Sequence, residues 1–265
     1  MMRRLRVNAL ARFLFAAFTL LAVAPDSLFA AAEAAAVAAP AAVAAGARTD
    51  LAARWPRHGR IVYDLMRGDD GFIIGRSVQS WRHDGREWTL KLETATTGLA
   101  ALFKSVRIIQ ESSGVFDAHG LRPLRFDANR NGDDYDVLRF SPQQGVLQAD
   151  GEQLPWVDGM QDALSLYYQI GLLGVADGEQ LVVARNGKTA IYDVQLIGDE
   201  LLSLANSQRK TRRRRLTAAG RNDVLDVWHD VASHLPLRIR YRDRKGDTYD
   251  QLARRIDIGA QSPQP

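Results

Sequence analysis

Five histidines, His58, His83, His119, His229 and His234, are the first place to look for chemistry. None is spaced as HxH, HxxxH or HExxH, the patterns that bring two imidazoles to one metal. His229 and His234 lie on either side of an expected bend, with Asp230 next to the first. A His–Asp pair can do acid–base work. No nucleophile signature such as G-x-S-x-G accompanies it, so a structural or surface role is expected. His83 and His119 fall in turn signals and are expected in solvent. Carboxylates cluster at Asp69-Asp70 and at Asp133-Asp134-Asp136, both in or beside polar turns. A glycosidase pair would need two such acids facing each other across a cleft. Asp127-Ala128-Asn129-Arg130-Asn131-Gly132-Asp133 matches the first half of a calcium loop, but the twelfth position is Leu138 instead of Glu. A hairpin turn explains those residues better, and no metal, catalytic residue or cofactor is expected.

The densest charge run is Arg212-Arg213-Arg214-Arg215, and Arg238, Arg240 and Arg242 alternate with Leu237, Ile239 and Tyr241. Neighbouring strands could merge these into a basic patch for anionic lipid; an ordinary solvated sheet face is the competing reading. Nucleic acid is not expected, because no aromatic ladder accompanies the run. The overall balance says the same. The formal charge is +4, but residues 1–30 hold four Arg and one Asp. Without them +4 falls by 3, to about +1.

Those first residues read as a secretory signal. Arg3, Arg4, Arg6 and Arg12 precede an uncharged run from Phe13 to Val23, and small residues follow Pro25. The run is too short to span a bilayer comfortably, and cleavage after Ala30 or Ala32 fits. The chain has no Cys, which rules out disulfides, thiolate metal sites and a lipoprotein anchor. The expected compartment is the periplasm. Residues 31–50 are mostly Ala and have no large side chains to bury, so a disordered linker is expected there.

From residue 51 the chain alternates in short apolar runs broken by turn residues. Trp88, Leu90 and Leu92 share a face; Phe72, Ile74 and Val78 are expected to face inward on the strand before. Arg185-Asn186-Gly187-Lys188 carries the strongest hairpin signal, because Asn-Gly accepts positive φ at both central positions. Leu201 to Leu216 reads as one strand. The sum is a mainly β domain over 51–258: a strongly curved antiparallel sheet or open barrel of about ten to twelve strands. A frayed tail over 259–265 should follow. One helix interrupts the strands near residues 160–174 and is apolar most of the way round, so it should be buried against the sheet. Asp162 could cap its first turn and Gly174 end it.

The run Gly159-Met160-Gln161-Asp162-Ala163-Leu164-Ser165-Leu166-Tyr167-Tyr168-Gln169-Ile170 resembles the "QDxLSxxYQL" signature of the bacterial domain-of-unknown-function family 3108 (DUF3108). Ser113-Gly114-Val115 with Gly120 to Phe126 is similar to its "S-G-x…GLxPxxF" stretch. Trp228 with Leu235-Pro236-Leu237-Arg238-Ile239-Arg240 is similar to its "elW…LPxRIR" ending. The order agrees over roughly residues 55 to 257. The chain departs from the pattern at Leu204-Ala205-Asn206, where a Pro-Leu-Gly-like turn would stand. The resemblance implies an envelope protein with a curved antiparallel β fold, and it brings no activity, cofactor or catalytic residue with it.

Three functions compete. The first is a non-catalytic binding or carrier module for an apolar or lipid-like ligand, with unknown ligand-binding residues. The second is an envelope interaction protein that meets anionic lipid or a protein partner. The third, a hydrolase of an envelope polymer, ranks last. Oligomeric state stays open.

Overall fold

The computed structural model describes residues 51–259, apart from 104, 150, 175 and 219. The expected leader, linker and all but the first residue of the expected tail lie outside the described residues.

Alternating apolar residues and turn-forming glycines divide the described residues into fourteen strands. The first eight are β1 (His58–Arg67), β2 (Phe72–His83), β3 (Glu87–Thr96), β4 (Arg107–Asp117), β5 (Gly120–Arg130), β6 (Asp133–Ser141), β7 (Val146–Ala149) and β8 (Glu152–Pro155). The other six are β9 (Gln180–Arg185), β10 (Lys188–Leu204), β11 (Ser207–Ala218), β12 (Val224–Asp230), β13 (Pro236–Arg242) and β14 (Thr248–Ile258). A short helix α1 (Gly98–Phe103) joins β3 to β4, and α2 (Ser165–Leu173) stands between β8 and β9. All strands belong to one antiparallel sheet in the order β8-β7-β6-β5-β4-β3-β2-β1-β14-β13-β12-β11-β10-β9. The β1–β14 pairing joins the first and last strands in the middle of the sheet.

The count exceeds the expected ten to twelve. β8, Glu-Gln-Leu-Pro, has no alternation to mark it. The single strand expected over Leu201–Leu216 breaks at Ala205-Asn206, between Leu204 and its partner Ser207. The Asn186-Gly187 hairpin forms as expected, with φ of 46° and 67°. The face expected for β2 is wrong. A bulge beside Leu65 and Met66 inserts one residue opposite β1, and one extra residue reverses every side chain beyond it. Ile74 stays inside and Val78 turns outward, while Phe72, which precedes the bulge and pairs with Arg67, is exposed at the start of the strand. Ser77 and Gln79 take the inner face instead.

The sheet curls without closing. β8 and β9 remain edges, and β6 comes close to β9 without pairing. One residue of the α2 approach stitches onto β9: Gln161 N–H donates to Val182 O at 2.9 Å, and Ala184 N–H donates to Gln161 O at 2.8 Å. Antiparallel alternation sorts the turns into two ends. Turns 68–71, 131–132, 186–187, 220–223 and 243–247 lie at one end; 84–86, 118–119, 205–206 and 231–235 lie at the other.

Candidate functional site

The second end is closed by α2, through polar side chains. Asp162 and Ser165 form a reciprocal cap: Ser165 N–H donates to Asp162 Oδ1 at 2.8 Å, and Asp162 N–H donates to Ser165 Oγ at 3.1 Å. Leu164 N–H reaches the same carboxylate oxygen at 2.8 Å, and the Ser112 hydroxyl on β4 donates to the other at 2.6 Å. Burial raises the Asp162 carboxyl above its ordinary value, and these hydrogen bonds pull the other way. Gln161 Nε2 donates to Leu121 O at 2.8 Å. Gln169 accepts from Leu121 N–H at 2.7 Å and donates to His119 O, holding the β4–β5 turn. The Tyr168 hydroxyl donates to Gln79 Oε1 at 2.9 Å, an oxygen that the bulge in β2 had turned inward, while Gln79 Nε2 has no hydrogen-bond partner. Gly171 lies so close to β12 that a Cβ there would overlap His234 O and His229 Cδ2. Gly174 ends the helix at φ 64°, and Arg214 Nη2 lies 3.9 Å from where a Cβ of Gly174 would sit. A cation there complements the helix dipole.

The first end differs. Arg185 ends β9 with its side chain inside the sheet and only 9% of the residue exposed. Its Nη1 has no hydrogen-bond partner. Tyr135 and Asp136 on β6, Tyr167 on α2 and Tyr192 on β10 surround it electrostatically, and burial lowers its pKa. Burial also raises the phenols of Tyr167, Tyr192 and Tyr241. Tyr135 accepts a hydrogen bond from Gln110 Nε2 at 3.0 Å, and the Arg130 guanidinium lies 5.0 Å from its ring centre. Arg221 and Asp223 pair at 2.7 Å in the turn nearby. The sequence reading missed Arg185. Its signal was present, since Leu181, Val183 and Arg185 alternate onto one face of β9.

The outer face explains the arginine run. Arg213 and Arg215 both hold Asp226, at 2.9 and 2.8 Å, and Arg212 holds Asp199 at 2.7 Å. Arg238 pairs with Asp250, and Arg240 with Asp69. Trp228 lies under the Arg213 and Arg238 guanidiniums, 4.7 and 4.8 Å from its ring centre, and donates its indole N–H to Glu200 at 2.8 Å. Arg214, which shares the parity of Arg212 and not that of Arg213 and Arg215, points inward and is buried. The expected basic patch is therefore a ladder of alternating charges.

The other candidates are separated. His229 is buried with Nε2 2.7 Å from Tyr167 O, and burial pushes its pKa down to about 3. Asp230 pairs with Arg209 at 3.0 Å. Adjacent strand residues point to opposite faces, so the two do not form an acid–base pair. His83 is not simply solvated: its ring stacks on Trp55 at 5.2 Å, and Nε2 lies 3.0 Å from Trp55 O. His119 is half-buried and His58 exposed. In the calcium-like stretch Asp127 is held by Arg125 and Arg139, and Asn129 Oδ1 accepts from Gly132 N–H at 2.9 Å. It is the β5–β6 hairpin.

The fold resembles a crystallised β-barrel-like protein of domain of unknown function DUF1849 from Brucella abortus, with TM-score 0.56 and 12% identity over 78% of this chain and 99% of that one. At that identity the likeness shows the fold alone. MucB in the MucA/MucB complex of Pseudomonas aeruginosa gives TM-score 0.30 at 12% identity, over 82% of this chain and 56% of that one. A putative lipoprotein of Parabacteroides distasonis gives 0.28 at 10%, over 77% and 97%. Neither of these two supports an argument. No curated protein matches the sequence. A family model does match, over residues 61–252, a span that runs from β1 to β14 and contains Gln161, Asp162, Ser165 and Gln169: the chain belongs to DUF3108, a family of proteins of unknown function.

Proposed function

We propose that the chain is an exported, non-catalytic binding module of the bacterial envelope that takes an apolar or lipid-like ligand. Residues 1–30 would carry it to the periplasm, and residues 31–50 would separate the domain over 51–258 from that signal. Among the described residues no helix is long and apolar enough to cross a membrane. The carrying observation is the contrast between the two ends. The sheet stays open, α2 is tethered at the second end, and the first end keeps a buried arginine among tyrosines. Open, curved sheets of this size offer room for one small ligand. Organic extraction and mass spectrometry of the purified protein should release a bound amphiphile, and the stripped protein should take it back. If it carries nothing and binds no amphiphile, the reading fails.

A second reading has its own observation. β9 pairs with β10 only as far as Asp193, and Leu201 beyond it is 71% exposed. Such an edge can accept a strand from a protein partner. A photo-crosslinker at position 201 should then capture one defined envelope partner in cells, and absence of any adduct would exclude it. An anionic-lipid surface at Arg212–Arg215 has lost its support, because Arg212, Arg213 and Arg215 hold carboxylates and Arg214 is buried. Liposome co-sedimentation should be the same after all four are replaced by Gln.

A further inference from the structure

Besides α2, the second end carries residues 51–57, which run in ahead of β1. Leu51, Ala52 and Trp55 are buried there, and strand pairing begins only at His58. Trp55 packs among aromatic rings. It lies 5.3 Å from the ring of Tyr168 on α2 and 6.0 Å from that of Phe116 on β4, and it stacks on His83 at 5.2 Å. His83 also meets Phe116 edge-on at 5.3 Å. The polar ties converge on one short stretch at the end of β2. Trp81 Nε1–H donates to Pro56 O at 2.7 Å, His83 N–H donates to Arg57 O at 2.7 Å, and Arg57 Nη1 donates to Asp84 O at 3.3 Å. His83 Nε2, 3.0 Å from Trp55 O, completes the set. A carbonyl oxygen only accepts, so Nε2 carries the proton of the neutral ring and Nδ1 is bare. Nδ1 is buried and has no hydrogen-bond partner, and a second proton would have to go there.

The groups around the ring do not offset that cost. Arg57 on the segment opposes a cation, and Asp84 in the turn after β2 favours one. Asp84 Oδ1 already accepts Arg86 N–H and Glu87 N–H. Phe116 brings no charge, and burial keeps the Tyr168 phenol neutral. Burial of the His83 ring outweighs the carbonyls of Trp55 and Pro56, so its pKa lies below the ordinary value.

We propose that residues 51–57 are an acid-released strap over the second end, latched by the stacking of His83 on Trp55 and by its hydrogen bond to Trp55 O. Freed from the strap, His83 takes its proton near the ordinary pH 6.5; docked, it takes it lower. Within that window the released form binds more protons, so release grows as pH falls. Release bares Tyr168, Phe116 and His83, while α2 keeps its own tethers. The latch is independent of any ligand.

Hydrogen exchange of the protein, expressed with its own leader, is followed between about pH 7.5 and about pH 5, the range in which histidine titrates. After correction for intrinsic rates, protection of residues 51–57 should fall severalfold across that range, while β1 and β14 stay protected. His83→Gln, which keeps a donor for Trp55 O and cannot become charged, should hold the strap equally at both pH values. The reciprocal measurement does not depend on that variant: in Trp55→Ala the His83 ring, followed by NMR, should titrate closer to pH 6.5 than in the wild type. Protection of 51–57 that ignores pH, or that is lost together with the sheet, would overturn the latch. So would a pH response that survives in His83→Gln, or a His83 titration that Trp55→Ala leaves in place.

Discussion

Both ends of the curved sheet leave buried polar atoms without a hydrogen-bond partner, Gln79 Nε2, Gln161 Oε1 and His229 Nδ1 at the α2 end and Arg185 Nη1 at the other, but the α2 end also carries a dense hydrogen-bonded network. At the α2 end, Asp162, Ser165, Gln169, Tyr168, Ser112 and Gln79 bond to one another and to the backbone of β5. At the far end Arg185 is left with Nη1 unbonded beside Tyr135, Asp136, Tyr167 and Tyr192. A satisfied buried network rigidifies a fold, whereas an unsatisfied buried charge costs stability and survives where something else needs it. The family's most recognisable run therefore marks scaffolding, and the candidate site lies where no signature was visible.

Breaking the scaffold end should have the largest effects. Gly171→Ala would push a methyl into His234 O and the His229 ring, where backbone cannot yield cheaply. A loss of about 3 kcal/mol is expected, measured by urea unfolding. An unchanged midpoint would mean that α2 can slide, and would remove the claim that it is tightly docked. Asp162→Ala comes next, at about 2 kcal/mol, because it strips the cap and leaves the Ser112 hydroxyl and two N–H groups without their acceptor. Asp162→Asn keeps an acceptor for the two N–H groups and should cost much less. Equal losses in the two variants would show that charge, not hydrogen bonding, holds the turn.

The pH dependence of stability sharpens the same end. An unfolded histidine takes its proton near pH 6.5; His229 takes it only near pH 3 when folded. Within that window the unfolded chain binds more protons, so stability falls as pH falls from 6.5 toward 3. His229→Gln should flatten that part of the curve. Asp162, whose folded carboxyl is raised, acts with the opposite sign near the ordinary carboxylate range. A wild-type curve flat between pH 6.5 and 5 would contradict the buried, neutral assignment of His229.

The sequence showed the fold better than the site for a physical reason. Alternation, Asn186-Gly187 and the apolar 160–174 run are local patterns; the hairpin formed as its pattern implied, and the helix formed over Ser165–Leu173, with a bridge at Gln161 and a turn at 163–164 before it. Three features depend on partners far along the chain. Val78 lies outside because a bulge opposite Leu65 and Met66 shifts parity. Arg212, Arg213 and Arg215 look like a basic patch until β10 and β12 bring Asp199 and Asp226 beside them. Arg185 looks like an exposed strand end beside a turn. It becomes a buried charge only when β6 and α2 close around it.

The smallest effects should separate the two kinds of arginine. Arg185→Met replaces a buried guanidinium, whose Nη1 has no hydrogen-bond partner, with an apolar chain of similar reach, so the ligand-free protein should gain about 1 kcal/mol. Arg212→Gln removes a surface pair with Asp199 that solvent already screens, so thermal unfolding should not move measurably. The signs matter more than the sizes. If Arg185→Met destabilises while Arg212→Gln is silent, the first end is scaffolding like the second, and Arg185 has a structural partner in solution. If Arg185→Met stabilises, the fold carries that charge at a cost, as expected of a residue kept for a ligand.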